Sequence, residues 1–331
     1  MRLSPDARKP FLLTAILFFI TISPSISIAA DPATVAAYLN QFRNSVSART
    51  ETMAAIGGDD GATGGLYKFV NNNTDLNVNK LSGRGTVGDP LKLLDTGLTW
   101  QPLFGGSLGY ITAENRFKGT PALWGNLEEF SSFGMAFETG MQINLTDEWS
   151  LGPMVGLIYS HANSKFTPGN NLGASLKFHY PKQLVDWNMD SLTAVPSVYL
   201  QYEKIFAKDW RLTLSTRYEW FNTWDIGSSS RLLSVTGNTS CWETKADLDI
   251  RLPIKLFDFP LHTGGFFTVD LFGGNFRDSI GTNAMYTING RLVVGDLTGL
   301  WKVNWLGIGV SYIKANTFHG FSWGLDARLL F

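Results

Sequence analysis

A strict two-residue alternation runs through the stretch Gly320–Phe331 and limits what this chain can become. Phe321, Trp323, Leu325, Ala327, Leu329 and Phe331 are apolar, while Ser322, Gly324, Asp326 and Arg328 between them are small or charged. Successive side chains of a strand point to opposite faces, so one face of such a strand must meet apolar surroundings and the other polar ones. With no water at one face, every backbone amide has to find its partner on a neighbouring strand.

The same period returns along most of the chain. Its clearest runs are Phe133–Leu145, Trp149–Tyr159, Leu192–Tyr202, Trp210–Trp220, Trp242–Ile254, Phe267–Leu271, Ala284–Val294 and Leu306–Tyr312. Most are close to the nine to eleven residues of a tilted membrane strand. Charged residues make up only 17% of the chain and aromatics 13%. No stretch beyond the first 30 residues approaches the roughly 20 apolar residues of a membrane helix. Lipid tolerates only helices and closed barrels, because backbone groups find no water there. The fold class expected is therefore all-β, a transmembrane antiparallel up-and-down β-barrel. Ser107–Phe117 adds a tenth run, and weaker ones at Gly65–Val70 and Leu91–Gln101 bring the count to twelve, with ten or fourteen as alternatives.

The N-terminal region reads differently. Arg2, Arg8 and Lys9 precede an apolar core from Phe11 to Ile22, and Ser27-Ile28-Ala29 offers small residues for cleavage, the pattern of an export signal over 1–30. Its removal leaves 24 Lys and Arg against 27 Asp and Glu, a balance that points to no nucleic-acid partner. Asp31-Pro32 starts a helix well, and Val35, Leu39, Phe42, Val46, Met53 and Ile56 recur at helical spacing. Residues 31–64 are thus expected to form an amphipathic helix over 32–56 and a Gly-rich linker, followed by the barrel over 65–331.

Connection lengths alternate. Leu145–Trp149, Phe206–Trp210, Ile254–Gly264 and Asp296–Trp301 are short, while 162–191 and 222–241 are long and rich in Ser, Asn and Gly. Short periplasmic turns and long outer loops are the expected asymmetry of an outer-membrane barrel. Trp149, Trp210 and Trp301 follow short turns, where an aromatic girdle belongs, and Trp220, Trp242 and Trp323 are assigned to the same membrane girdle.

An N-terminal helix, a linker and a twelve-stranded barrel closing on Phe331 together resemble the translocator unit of bacterial autotransporters. Only Asp31 to Gly65 precedes the barrel, so the chain is most similar to the solitary autotransporter-type barrels, which carry no passenger. The resemblance implies residence in the outer membrane of a Gram-negative cell, contact with outer-membrane lipid, a monomer, and a surface-exposed or translocator-like role. It also implies delivery to the barrel assembly machinery through the C-terminal strand, with Phe331 as the assembly signal.

The other phase of the strands is assigned to the lumen. It supplies Glu138, Glu203, Glu219, Glu243, Asp247, Asp249, Asp270 and Asp326 against Arg211, Arg217, Lys245, Arg251, Lys255, Arg291 and Arg328. Interleaved signs fit ion pairs that satisfy one another better than a pore tuned to one ion sign. A conducting path remains the alternative. Gly134, Gly140, Gly152, Gly156, Gly307, Gly309 and Gly324 share that phase, leaving space for helix 32–56 against Met154, Ile158 and Trp305, unless the helix stays in the periplasm.

Chemistry is poorly signalled. His161, His179, His262 and His319 lie far apart with no metal-ligand spacing, and Cys241 is alone, so no cofactor or metal is expected. A lipid hydrolase would want His and Ser two residues apart on one strand face. His161 is followed at that spacing by Asn163, and Ser164 belongs to the opposite face. The expected product is a non-enzymatic barrel, with a small channel or porin-like transporter as second reading and an outer-membrane lipid hydrolase as third.

Overall fold

The computed structural model describes residues 61–70, 74–116, 125–171, 174, 177, 186–206, 209–229, 236–275, 277, 282–295 and 303–329. The expected signal 1–30, helix 32–56, Trp301 and Phe331 lie outside them.

Thirteen strands follow in order: β1 (Gly61–Val70), β2 (Thr74–Thr86), β3 (Leu91–Lys92), β4 (Thr99–Arg116), β5 (Leu127–Asn144), β6 (Trp149–Thr167), β7 (Asn188–Phe206), β8 (Trp210–Ser228), β9 (Thr236–Leu256), β10 (Phe259–Gly274), β11 (Ala284–Val294), β12 (Val303–Ala315) and β13 (His319–Leu329). All pairings are antiparallel. β1 pairs with β2 and with β13, and β2 pairs with β4, so twelve strands close into a ring while the two-residue β3 only flanks β4. Closure removes the sheet edges that lipid could not satisfy.

The count of twelve agrees with the sequence reading, but the second strand does not. It is Thr74–Thr86, whereas Leu91–Gln101 is a small hairpin leading into β4. Leu94 and Gly97 take positive φ of 50° and 78° there, which breaks the apparent alternation. β2 escaped notice because Asn77 and Asn79 occupy its outward face while Val78 faces in, the reverse of the belt pattern.

β6 shows how the faces divide. Trp149, Leu151, Pro153, Val155, Leu157 and Tyr159 face outward, then His161, Asn163 and Lys165 continue the same face with polar groups. The apolar belt is thus eleven residues tall on a 19-residue strand. At about 3.3 Å per residue and a tilt near 40°, such strands rise ~50 Å against an apolar band of about 25 Å. The strands overrun the membrane, and on β6 and β9 the overrun at the loop end carries a polar outer phase, whereas β8 keeps Trp224 and Ile226 outward. That is why β5 to β9, each 18 to 21 residues long, exceed the runs legible in sequence.

The two ends of the barrel differ. β1 begins and β13 ends at the end joined by the tight connections 145–148, 207–209 and 257–258, here the turn end. Phe257 and Asp258 both take positive φ, 52° and 70°, the backbone of a two-residue hairpin matched to strand twist. The opposite, loop end carries 168–187, whose stem is fastened: Asp186 Oδ1 accepts from Phe166 N at 2.8 Å, and Lys177 Nζ bonds both Phe166 O (2.8 Å) and Asp186 Oδ2 (2.9 Å). Trp187 is buried beside Ala162, Met189 and Phe130, its ring 6.0 Å from that of Phe130.

Candidate functional site

The inward faces of the strands form a lumen whose chemistry changes with height. In the turn half, Arg291 on β11 has Gly264 and Gly309 as its register partners, so bare backbone lies on both sides of it. Its guanidinium grips Asp247 with two parallel bonds of 2.9 and 2.7 Å and approaches Asp326 (3.6 Å) and Asp249 (3.9 Å). Asp249 Oδ1 meets His262 Nδ1 at 2.8 Å. Arg211 on β8 lies 3.4 Å from Glu203, and its guanidinium and that of Arg291 stand 5.8 and 5.3 Å from the ring centre of Trp305. These groups surround a small cavity of about 80 Å³, lined also by Gln201, Thr213 and Ser215. The charged lining comprises five acids, Glu203, Glu243, Asp247, Asp249 and Asp326, against Arg84, Arg211, Lys245 and Arg291.

Midway up, Arg217 bonds Glu138 at 2.7 Å and Glu219 at 2.8 Å. Glu138 reaches across from β5 because Gly105 leaves its place open; a Cβ there would collide with the carboxylate. Arg217, Glu243 and Asp270 follow in one register row across β8, β9 and β10. The Tyr199 ring fills the space over Gly152, and its hydroxyl donates to Gln142 at 3.0 Å. Gly152, expected to leave room for a helix, is therefore already covered by a neighbouring strand. Lys245 sits 4.2 Å over the Phe266 ring and 3.9 Å from Asp247.

The loop half is apolar. Val78, Ile111, Ile158, Val195, Phe221, Cys241, Phe272, Met285, Ile313 and Ala315, from nine different strands, form one contiguous cluster. All are exposed by 6% or less, and Phe221 not at all. The few hydroxyls at this level pair with each other, as Thr193 and Thr223 do at 2.8 Å, or are equally buried, as Ser160 and Thr239 are.

Of the charges assigned from sequence, Glu138, Arg211, Arg217, Glu219, Glu243, Lys245, Asp247, Asp249, Asp270, Arg291 and Asp326 occupy these two levels, buried or half-buried. Arg251 and Lys255 are exposed at the turn rim instead, because β9 runs on past the membrane before it turns. Arg328 pairs through its backbone with Trp305. Trp149 and Trp210 stand on the outer face at the turn end, the ring of Trp149 5.0 Å from Tyr202. Trp220, Trp242 and Trp323 are also exposed outward, with the Trp242 indole donating to Thr216 Oγ1 at 2.6 Å.

β6 continues through Ser164, so His161 and Ser164 fall on opposite faces. His161 Nδ1 and the Tyr159 hydroxyl both reach Asp190 Oδ1, at 2.8 and 2.6 Å, outside the barrel; Ser164 is buried within and donates to Glu128 at 3.2 Å. Among the described residues no group of three His, Cys, Asp or Glu could hold a metal. The sequence reading missed the apolar layer, Arg84 and the His262–Asp249 pair. Register alone brings His262 to Asp249 across β9 and β10, and their separation of 13 residues carries no signal.

No curated protein matches the sequence. Among solved structures, the transport unit of the autotransporter AIDA-I from Escherichia coli is 13% identical, with a TM-score of 0.51 over 87% of this chain and 99% of that one. The beta domain of the Bordetella autotransporter BrkA is also 13% identical, with a TM-score of 0.48 over 81% of this chain and 98% of that one. At such identity the likeness speaks of the fold alone. A family model, the solitary outer membrane autotransporter beta-barrel domain, matches residues 90–323. More than half of the sequence carries that signature, so the chain belongs to the solitary outer membrane autotransporter beta-barrel family and resides in the bacterial outer membrane.

Proposed function

We propose that this barrel is closed to ions and acts as a surface-exposed, translocator-like structural element rather than as a pore or an enzyme. The observation that carries the reading is burial of the lumen wall in the loop half. Residues facing a water-filled channel would be wetted, yet this wall is exposed by 6% or less across nine strands. An apolar constriction blocks ions by excluding water.

On the same reading, residues 1–30 direct export and residues 31–60 lead into β1 at the turn end, where that strand begins. The turn end faces the periplasm, Phe331 hands the last strand to the barrel assembly machinery, and the barrel stands as a monomer in lipid. A non-enzymatic role is supported by the separation of His161 from Ser164 on the two faces of β6.

The charged, polar lining of the cavity in the turn half favours a small channel as the competing reading. Planar-bilayer recording of the full mature chain separates the two. Silence at either polarity is the expected result, and steady unitary openings would overturn the closed barrel.

A further inference from the structure

We infer that the loop-end rim of β11, β12 and β13 is a docking site for the phosphate-monoester headgroup of an outer-leaflet lipid. Tyr286, Lys314 and His319 stand in one register row across these strands, and all three are exposed. Lys314 follows Leu306, Ile308, Val310 and Tyr312 on the outer face of β12, and His319 precedes Phe321, Trp323 and Leu325 on that of β13. The row therefore lies at the loop-end margin of the apolar belt. It goes no further out, because Ala315 N–H donates to Phe318 O at 2.9 Å and the chain turns at once. Headgroups, not tails, are what a row at this height meets.

The charge of the row points to phosphate. Inside the barrel acids and bases interleave and pair, whereas along this rim they are sorted. Beyond His319 the row passes Val70 and Asp75 to Glu114 and Glu129, and Lys165 answers Glu129 at 4.0 Å. Tyr286, Lys314 and His319, by contrast, have no hydrogen-bond or ion-pair partner among the described residues. A phenol, an ammonium and an imidazole thus offer donors on three adjacent strands, about 4.8 Å apart. A phosphate monoester carries nearly two negative charges and three strong acceptor oxygens, one for each donor, and a diester offers fewer. Just below, the rings of Tyr312 and Phe321 lie 4.9 Å apart with Ile288 beside them, a surface on which the apolar part of a lipid can rest. A free phosphate ion would gain nothing from those rings. The occupant is a lipid.

The choice of leaflet rests on the proposed orientation of the barrel, whereas the site does not, so the two are tested apart. For the site, the folded full mature chain in mild detergent is mixed with a phosphorylated glucosamine-disaccharide lipid, and bound copies are counted by native mass spectrometry. The same lipid stripped of its phosphates, phosphatidylglycerol and inorganic phosphate are the comparison probes. One retained copy of the phosphorylated lipid is expected. Retention should fall roughly tenfold or more when its phosphates are removed, when phosphatidylglycerol replaces it, or in the Lys314→Gln/His319→Gln variant. Lys165→Gln, on the far side of the row, should leave retention unchanged. Gel mobility of unheated samples shows whether each variant is folded. Equal retention without phosphate, equal retention of phosphatidylglycerol, or displacement by millimolar inorganic phosphate would overturn the site. So would indifference to the double substitution, or an equal loss in Lys165→Gln. For the leaflet, Asn316→Cys in the exposed β12–β13 turn is treated with a membrane-impermeant maleimide on intact cells, where the buried Cys241 stays silent. Labelling is expected, and its absence would overturn the orientation and the leaflet together.

Discussion

The two halves of the lumen solve the same problem by opposite means. Each must fill the inside of a twelve-stranded ring. The loop half does so with Phe221, Phe272, Met285 and Ile313, which need nothing but contact. The turn half uses Arg291, Asp247, Asp249 and Asp326, which need each other. Apolar filling tolerates exchange of similar volumes at small cost, whereas a buried charge left alone costs several kcal/mol. The halves should therefore respond differently to the same chemical change.

The largest difference is expected at Arg291, whose side chain is only 4% exposed and is shared by three aspartates. Arg291→Met keeps the bulk and removes the charge, leaving acids without a counterion. The loss should be about 3–5 kcal/mol in urea unfolding of the folded barrel in lipid. A loss below about 1 kcal/mol would mean that water already solvates these aspartates, and the contrast between halves would shrink to one of polarity alone.

A smaller effect comes from exchanging near-isosteres across the boundary. Val195→Thr puts a hydroxyl into the apolar layer, where Val195 is 5% exposed. With no partner assured, that should cost about 1–3 kcal/mol. Thr213→Val, the reverse change on the cavity wall, should cost under about 1 kcal/mol, because Thr213 is only half-buried. Equal costs in the same unfolding assay would show that the loop half is wetter than its burial implies.

The legibility of the chain follows this division. Where strands cross lipid, Trp149 to Tyr159 or Trp210 to Trp220, the apolar phase is outward and the alternation names both strand and face. Interior charges on those segments, Arg217 or Asp249, could be assigned to the lumen because everything else in their phase was small or polar. Above the belt the code inverts. On β2, Val78 turns inward and Asn77 and Asn79 outward, so a rule that places apolar residues against lipid finds no strand. The apolar layer was hidden for the same reason: each strand donates only one or two residues to it, and none is periodic by itself. Cross-strand meetings such as Arg217 with Glu138, 79 residues apart, depend on register and on the bare wall at Gly105, neither of which is written locally.

The smallest expected effect sits above the apolar layer, in the clasp that holds connection 168–187 to β6. Burial works to raise the Asp186 carboxyl, but the amide of Phe166 and the ammonium of Lys177 outweigh it and hold the group below its ordinary value. A carboxylate depressed in the folded state contributes stability above the unfolded value, about 3.9, and loses it as pH falls through the folded one. The clasp should therefore hold at neutral pH and loosen only below about pH 4. Limited proteolysis at the loop end, at graded pH with an acid-tolerant protease, reads this directly. Asp186 takes a positive φ of 56°, which Asn also tolerates, so Asp186→Asn keeps the backbone while removing the charge. That variant should be cut faster at neutral pH and show no further acid step, while the ion pairs of the turn half stay unchanged. An acid step persisting in Asp186→Asn would place the sensitivity elsewhere among the loop-end carboxylates, with Asp190, held by Tyr159 and His161, the next to replace.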